Sequence, residues 1–207
     1  MTLLYEEQGF LLVSGLIQRE IVERAHGRLL ARLRKTDSAS HHEFIQDPLV
    51  LACFSRKLCS AARQLARARA ALRPPTIVYA ISVLPTGTVW EWPAPHIDHA
   101  IERDGHKTFP PPFRIGCLIY LNDIPRHAGA TVVWPGSHHQ LAGLAAASPK
   151  QYELLASLNR DIQKLPLREP LEITAAAGDV LFYDYLCAHA GSANEGTKPR
   201  LALNHKW

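Results

Sequence analysis

At 207 residues, with 47% apolar and 20% charged side chains, the chain is long enough to bury a substantial core and too apolar to be a disordered tail. Its net charge of +4 is spread along the sequence and forms no concentrated basic stripe of the kind that binds nucleic acid. No run of about 18 apolar residues is present to span a membrane.

The elements fall into two textures. "GFLLVSG" reads as a short buried strand closed by glycine. "IQREIVERAHGRLLARLRK" places Ile17, Ile21, Ala25, Leu29 and Leu33 on one helical face. "TDSASHHEF" is polar and reads as a loop, and its His41-His42-Glu43 cluster therefore lacks a strand to aim it at a metal. "DPLVLACFSRKLCSAARQLARARAAL" reads as a second long helix with Asp47 as N-cap and Pro48 at the first helical position, ended by Pro74-Pro75. From there β-rich runs dominate: "TIVYAISVL", "FRIGCLIYLND", "ATVVWPGS", "LEITAAAGDVLFYDYL" and "RLALNHKW". Only "SPKQYELLASLNRDIQKL" interrupts them with helical spacing. Helices first and strands later predict one α+β domain over 1–207, with helical support mainly in 1–74 and a two-sheet sandwich or barrel mainly in 75–207. Glu6 and Glu7 break up the apolar N-terminus, which makes it a poor secretory leader. Cys53, Cys59, Cys117 and Cys187 have no C-x-x-C spacing and read as reduced, buried thiols of a cytoplasmic protein.

Within "WEWPAPHIDHAIERDG", His96 and Asp98 stand two residues apart. Extended backbone sends alternate side chains to one face, so both can point inward together. Chance alone gives roughly 0.4 such triplets in a chain of this composition, so the pair needs a partner. Two imidazoles and one carboxylate on one face of an octahedron suit non-haem Fe(II) oxygen chemistry. The second imidazole has to come from far along the chain. His189 closes a buried-looking strand, and Arg200 opens the last strand eleven residues later.

In order, "EEQGFLLVSGLI", "PHIDH", "IYLNDIPRHAGATVVWPGSHH" and "GDVLFYDYLCAHAGSANEGTKPR" resemble the phytanoyl-CoA dioxygenase family of Fe(II)- and 2-oxoglutarate-dependent oxygenases, over nearly the whole chain. The resemblance implies a double-stranded β-helix, a jelly-roll barrel with helices supporting one sheet. It implies that His96, Asp98 and His189 bind iron and that Arg200 pairs with the distal carboxylate of 2-oxoglutarate, a task suited to its planar fork. It further implies O2-dependent conversion of 2-oxoglutarate to succinate and CO2, coupled to hydroxylation of a C–H bond in a small organic substrate. Related halogenases carry Ala or Gly in place of this carboxylate, so Asp98 favours hydroxylation.

Other residues are weighed beside these. Thr131, Ser192 and Tyr120 offer hydroxyls to 2-oxoglutarate, against the commoner role of strand packing. Ala202, two residues after Arg200, offers none. Asn122-Asp123 and Pro135 to His138 read as turn and barrel-closure chemistry, and His138 is not expected to be a ligand. Trp90 and Trp92 either wall the substrate pocket or pack outward on the barrel. Between His99 and Pro112 lies a long polar loop at the barrel mouth, where Arg103, His106 and Lys107 either attract an anionic substrate or are merely solvated. The chain stops seven residues after Arg200, so a compact, rather open pocket without a C-terminal lid is expected. Two other function classes stay in view: a cupin-type metal barrel that never uses 2-oxoglutarate (an isomerase or another oxygenase), and a non-catalytic barrel. The first leaves Arg200 without a task, and the second leaves the whole ligand set unexplained.

Overall fold

The computed structural model describes residues 2–33 and 40–207. Six strands form one antiparallel sheet in the order β1 (Phe10–Val13), β7 (Val180–Asp184), β4 (Ile115–Tyr120), β9 (Arg200–Lys206), β3 (Val78–Val83) and β2 (Ser40–Ile45). A smaller sheet joins β6 (Leu171–Ile173), β5 (Thr131–Val133) and β8 (His189–Gly191). The two face each other as a double-stranded β-helix.

Alternation along the strands sorts the side chains of the large sheet. Ile115, Cys117, Ile119, Val180, Phe182, Leu201 and Leu203 point away from the small sheet and meet α2 (Arg19–Leu33) and α4 (Arg56–Leu65) in one core. Leu118, Tyr120, Leu181, Tyr183 and Ala202 point the other way and meet Val133 and Ile173 of the small sheet. With both faces covered, the central strands are nearly continuous apolar runs, which is why "IGCLIY" and "VLFYD" stand out in the sequence. A third core gathers Leu141 and Ala145 of α5 (Ser137–Ala147) with Leu155 and Leu158 of α6 (Leu155–Arg160) beneath Val132 and Ala190.

The expected helical face of α2 forms with one shift. Ala25, Leu29 and Leu33 are buried as anticipated, but Val22 takes the deep position and Ile21 only packs against it; Ile17 is buried just ahead of the helix. Asp47 does cap the next helix, accepting the Leu49 N–H at 2.9 Å with Pro48 behind it. The long second helix is a correction, however. It breaks into α3 (Pro48–Leu51) and α4, because Ser55 adopts an extended conformation and its hydroxyl accepts the Leu58 N–H to start a new helix. The loop reading of "TDSASHHEF" also needs correcting. Residues 36–39 lie outside the described part, but Ser40–Ile45 is strand β2, paired antiparallel with β3 along its whole length. Two helices were not expected from the sequence, α1 (Thr2–Gln8) ahead of β1 and α5 after Gly136, and α6 is shorter than its helical spacing suggested. All four cysteines are free and buried. Among the described residues no helix is long and apolar enough to cross a membrane.

Candidate active site

His96 and His189 are brought together by backbone. His96 N–H donates to the His189 carbonyl at 3.0 Å and His189 N–H to the His96 carbonyl at 2.9 Å, so the segment carrying His96 extends the small sheet beyond β8 by a single bridge. The two rings end 4.7 Å apart. No full strand forms at "PHIDH": Asp98 sits in a turn, and His99 adopts a positive φ of 58°. That turn still carries the Asp98 carboxylate back to the imidazoles. One donor atom each from His96, Asp98 and His189 lies within 4.8 Å of the others, and no other such group of His, Cys, Asp or Glu occurs among the described residues.

Neighbouring groups prepare these donors. His189 Nδ1 lies 2.9 Å from the Cys187 carbonyl, so the Nδ1–H donates there and the Nε2 lone pair is directed to the centre. Burial lowers the His189 pKa, but Asp98 and the Cys187 carbonyl outweigh it and raise the ring above its ordinary value. Burial and the His189 charge hold His96 down at about 4. For Asp98, burial pushes upward, yet His189, Lys206 and the Tyr183 hydroxyl together hold the carboxyl far below the usual range. Its Oδ2 accepts from Tyr183 Oη at 2.9 Å and lies 3.2 Å from Lys206 Nζ and 3.5 Å from His189 Nε2. Asn204 Nδ2 in turn donates to Tyr183 Oη at 2.7 Å. Burial and then Asp98 push the Tyr183 phenol well above its normal pKa, so it stays a donor.

The turn that delivers His189 is set by Asp184. Its carboxylate accepts the Leu186 N–H at 2.9 Å, and its carbonyl accepts the Cys187 N–H at 2.9 Å. Ser137, at the start of α5, accepts the Ala188 N–H at 2.9 Å from the other side. Burial raises the Asp184 pKa to about 6, despite the Leu186 N–H and His139, which lower it. A carboxyl whose folded pKa exceeds its unfolded 3.8 favours the fold fully only below that value, and the contribution fades as pH rises through about 6. Asp184→Asn keeps an acceptor for Leu186. It is therefore expected to be more stable than wild type at pH 7.5 by about 1–3 kcal/mol and to lose that advantage near pH 4, as urea unfolding at the two pH values will show.

The triad opens onto a cavity of about 430 Å³ between the two sheets. Arg200 enters it from the first position of β9 and is only 4% exposed. Its Nε is buried without a hydrogen-bond partner, and no carboxylate among the described residues lies within ion-pair distance. Burial lowers its pKa accordingly. An isolated buried guanidinium is costly, so this one is built for an anion that arrives from outside. Asn122 accepts the Leu201 N–H at 2.9 Å and donates to the Pro199 carbonyl, and Asp123 accepts the Ala177 N–H, so both pin the loops that lead into the site.

The remaining sequence candidates divide. Thr131 lines the cavity and accepts from buried Tyr120 Oη at 3.0 Å. Ser192 also lines it, but its hydroxyl donates to the Ala130 carbonyl at 2.9 Å. Trp90 and Trp92 are not brought to the cavity. Trp90 stacks on His127 at 4.4 Å and meets Trp92 edge-on, while Trp92 is 51% exposed. Arg103 pairs with Asp104 at 3.5 Å on the surface, Lys107 with Glu153 at 3.1 Å, and His106 meets His99 at 3.3 Å. His138 and His139 both donate to the Glu6 carbonyl, away from the triad.

Pleating splits the cluster at His41. His41 and Glu43 turn toward α2, where Glu43 accepts from Arg32 at 2.7 Å, whereas His42 turns into the cavity and lies 3.0 Å from Tyr79 Oη. His42, weighed in the sequence only as part of a metal cluster, lines the cavity instead, and Tyr183, Asn204 and Lys206 are lining residues that the sequence analysis did not single out. The signal for the last two was available: counting by twos from Arg200 along a strand reaches Ala202, Asn204 and Lys206.

The model of the phytanoyl-CoA dioxygenase (PhyH) family matches residues 5–202. The chain belongs to this family. Solved structures of similar fold include the non-haem alpha-ketoglutarate-dependent carbocyclase SnoK of nogalamycin biosynthesis, with TM-score 0.69 and 20% identity over 98% of this chain and 80% of that one. The epimerase SnoN, in complex with Fe3+, alpha-ketoglutarate and nogalamycin RO, matches with TM-score 0.65 and 17% identity over 98% and 80%. EctD from S. alaskensis, with 2-oxoglutarate and 5-hydroxyectoine, matches with TM-score 0.63 and 17% identity over 98% and 73%. At these identities the PhyH chain shares their fold. No curated protein sequence gives a significant match.

Proposed function

We propose that this PhyH protein is an Fe(II)- and 2-oxoglutarate-dependent oxygenase that hydroxylates a C–H bond of a small organic substrate. The observation that carries the reading is the pairing, in one cavity, of a two-histidine, one-carboxylate donor set with a buried guanidinium that has no carboxylate partner among the described residues. Bound at the donor set, ferrous iron would supply the oxidative chemistry, using O2 and the loss of CO2 from 2-oxoglutarate to oxidise the substrate and leave succinate. The residues present fit that ion, since imidazole nitrogen and carboxylate oxygen are its usual donors and all three side chains line one cavity. His189 is held in the ligating tautomer by the Cys187 carbonyl, and Asp98 is held ionised by its neighbours. Arg200 would hold the far carboxylate of 2-oxoglutarate, for which its planar fork is suited, and Thr131, with Tyr120 bonded to it, lines the same cavity. Asp98 fills the third ligand position, which favours hydroxylation over halide transfer. A cupin-type barrel working without 2-oxoglutarate would leave Arg200 as an unpaired charge in the interior.

The decisive experiment is done without oxygen. Purified protein receives Fe(II) and then 2-oxoglutarate, and the visible charge-transfer band of a metal-chelated 2-oxo acid is sought beside a His96→Ala control. A band in wild type alone is the expected result; iron binding without a band would replace the proposal with the cupin-type reading. Once a substrate is in hand, product mass separates outcomes. A gain of one oxygen marks hydroxylation, an unchanged mass epimerisation, and a loss of two hydrogens ring closure.

A further inference from the structure

We propose that the substrate of this enzyme is an organic anion, a carboxylate or phosphate ester with an apolar body, and that Lys206 holds its charged end. The inference rests on the iron and 2-oxoglutarate reading above and adds the substrate class.

It begins with the charges of the cavity. β9 sends Arg200, Ala202, Asn204 and Lys206 to the same side, so cations stand at both ends of one strand, about 20 Å apart along the backbone. Asp98 lies at the Lys206 end, and it is the only carboxylate among the described lining residues. In the structure Lys206 Nζ is 3.2 Å from Asp98 Oδ2, its only acidic partner among the described residues. Its side chain is 21% exposed, and it lies 5.6 Å from the centre of the Phe113 ring.

A divalent cation at Asp98 changes this balance. The single negative charge is then committed to the metal, and the cavity is left with two protein cations and no protein anion to offset them. The distal carboxylate of 2-oxoglutarate answers Arg200, and its other carboxylate together with Asp98 balances the two charges of the metal, which leaves Lys206 as the one uncompensated charge. Lys206 lies at the opposite end of the strand, too far to share the distal carboxylate, and an ammonium so enclosed needs a counter-ion of its own. The molecule to be oxidised is the remaining occupant of the cavity, so it supplies that charge.

The walls describe the rest of the ligand. Beside Asn204 and Thr131, the lining includes apolar side chains, Ile81, Leu118 and Leu181 on the large sheet and Val133 on the small one. On the β2 side, Tyr79 adds an aromatic face, backed by Phe44 at 5.0 Å between ring centres. The surface cations of the 99–112 loop do not compete for this role, since Arg103 and Lys107 are paired with Asp104 and Glu153 outside the cavity.

The test uses matched probes against oxygen-free protein loaded with Fe(II) and saturating 2-oxoglutarate: phenylacetate against phenylacetamide, hexanoate against hexanamide, and phenyl phosphate against phenol. Binding is read by calorimetry, with the charge-transfer band recorded in the same samples. Wild type is expected to bind the anionic member of at least one pair tenfold or more tightly, and Lys206→Gln to erase that preference. The variant is expected to keep the band, because removing a positive charge beside Asp98 favours a divalent cation there. Indifference of wild type to the charge of the probe, whether both members bind or neither does, overturns the proposal. So does a preference that survives Lys206→Gln. Loss of the band in Lys206→Gln would make the lysine a positioning partner of Asp98 and not a substrate contact. Absence of the band in wild type refutes the oxygenase reading itself and takes this one with it.

Discussion

Arg200→Ala is expected to leave Fe(II) binding within about twofold of wild type and to weaken 2-oxoglutarate binding by about thirtyfold or more. The size follows from what the side chain does when the site is empty. The residue is 4% exposed, has no carboxylate within ion-pair distance among the described residues and keeps a buried Nε unpaired. Nothing in the protein is released when it engages an anion, so nearly the full charge-assisted interaction appears as affinity. Truncating one partner of such a buried pair costs about 2–5 kcal/mol, a factor of about thirty to several thousand. Arg200→Lys will not rescue it fully, because a single ammonium lacks the fork that engages both carboxylate oxygens. Titration of the anaerobic charge-transfer band gives both constants. A band of unchanged midpoint in Arg200→Ala would remove the residue from co-substrate binding altogether. Loss of iron affinity in the same variant would instead signal a damaged fold, since Arg200 touches none of the three donors.

The second large effect comes from a residue with no functional group. A Cβ built on Gly116 would lie 2.3 Å from the Tyr183 ring and 2.6 Å from its hydroxyl oxygen. Gly116 and Tyr183 are direct cross-strand partners on β4 and β7, and the missing side chain is the space in which the phenol lies on its way to Asp98. Gly116→Ala should therefore displace Tyr183 and deprive Asp98 of its 2.9 Å donor while deleting no polar atom. Outer partners of metal ligands typically carry about 10–100-fold in metal affinity. Gly116→Ala and Tyr183→Phe are both expected to weaken Fe(II) binding in that range, and the double variant to be little worse than either, since both act through one contact. Equilibrium dialysis with Fe(II), alongside thermal melts to verify folding, checks this. Additive losses in the double variant would show that Gly116 acts on the centre by some other route.

How much of this the sequence displayed depends on which faces of each element are covered. Strands β4 and β7 were legible because helices lie on one side and the small sheet on the other, leaving nearly continuous apolar runs. Strand β2 was not, since it is the border of its sheet and alternates polar residues on both faces, so "SHHEFI" has a loop's composition. The break between α3 and α4 depends on a single capping hydroxyl at Ser55, which a periodicity of apolar residues does not register. Helix α5 was hidden by its start: Pro135-Gly136 announces a turn, although the Ala- and Leu-rich stretch from Gln140 to Ala147 favours a helix. At the site, the three donors were found by spacing and family pattern, and they do converge. The supporting groups were harder to see. Tyr183 and Asn204 look like ordinary strand residues until register places them beside Asp98.

The unequal width of the two sheets has an evolutionary corollary. The donors and Arg200 are anchored in β8, in the segment bridged to it and in β9, which has a partner on each side. The wall formed by Ser40 and His42 belongs to β2, which has a partner on one side only and contributes none of the three donors. Side chains there can be exchanged at the expense of one outer ladder. A lineage built on this scaffold can drift toward new substrates through its outermost strand while the machinery for oxidation is inherited unchanged.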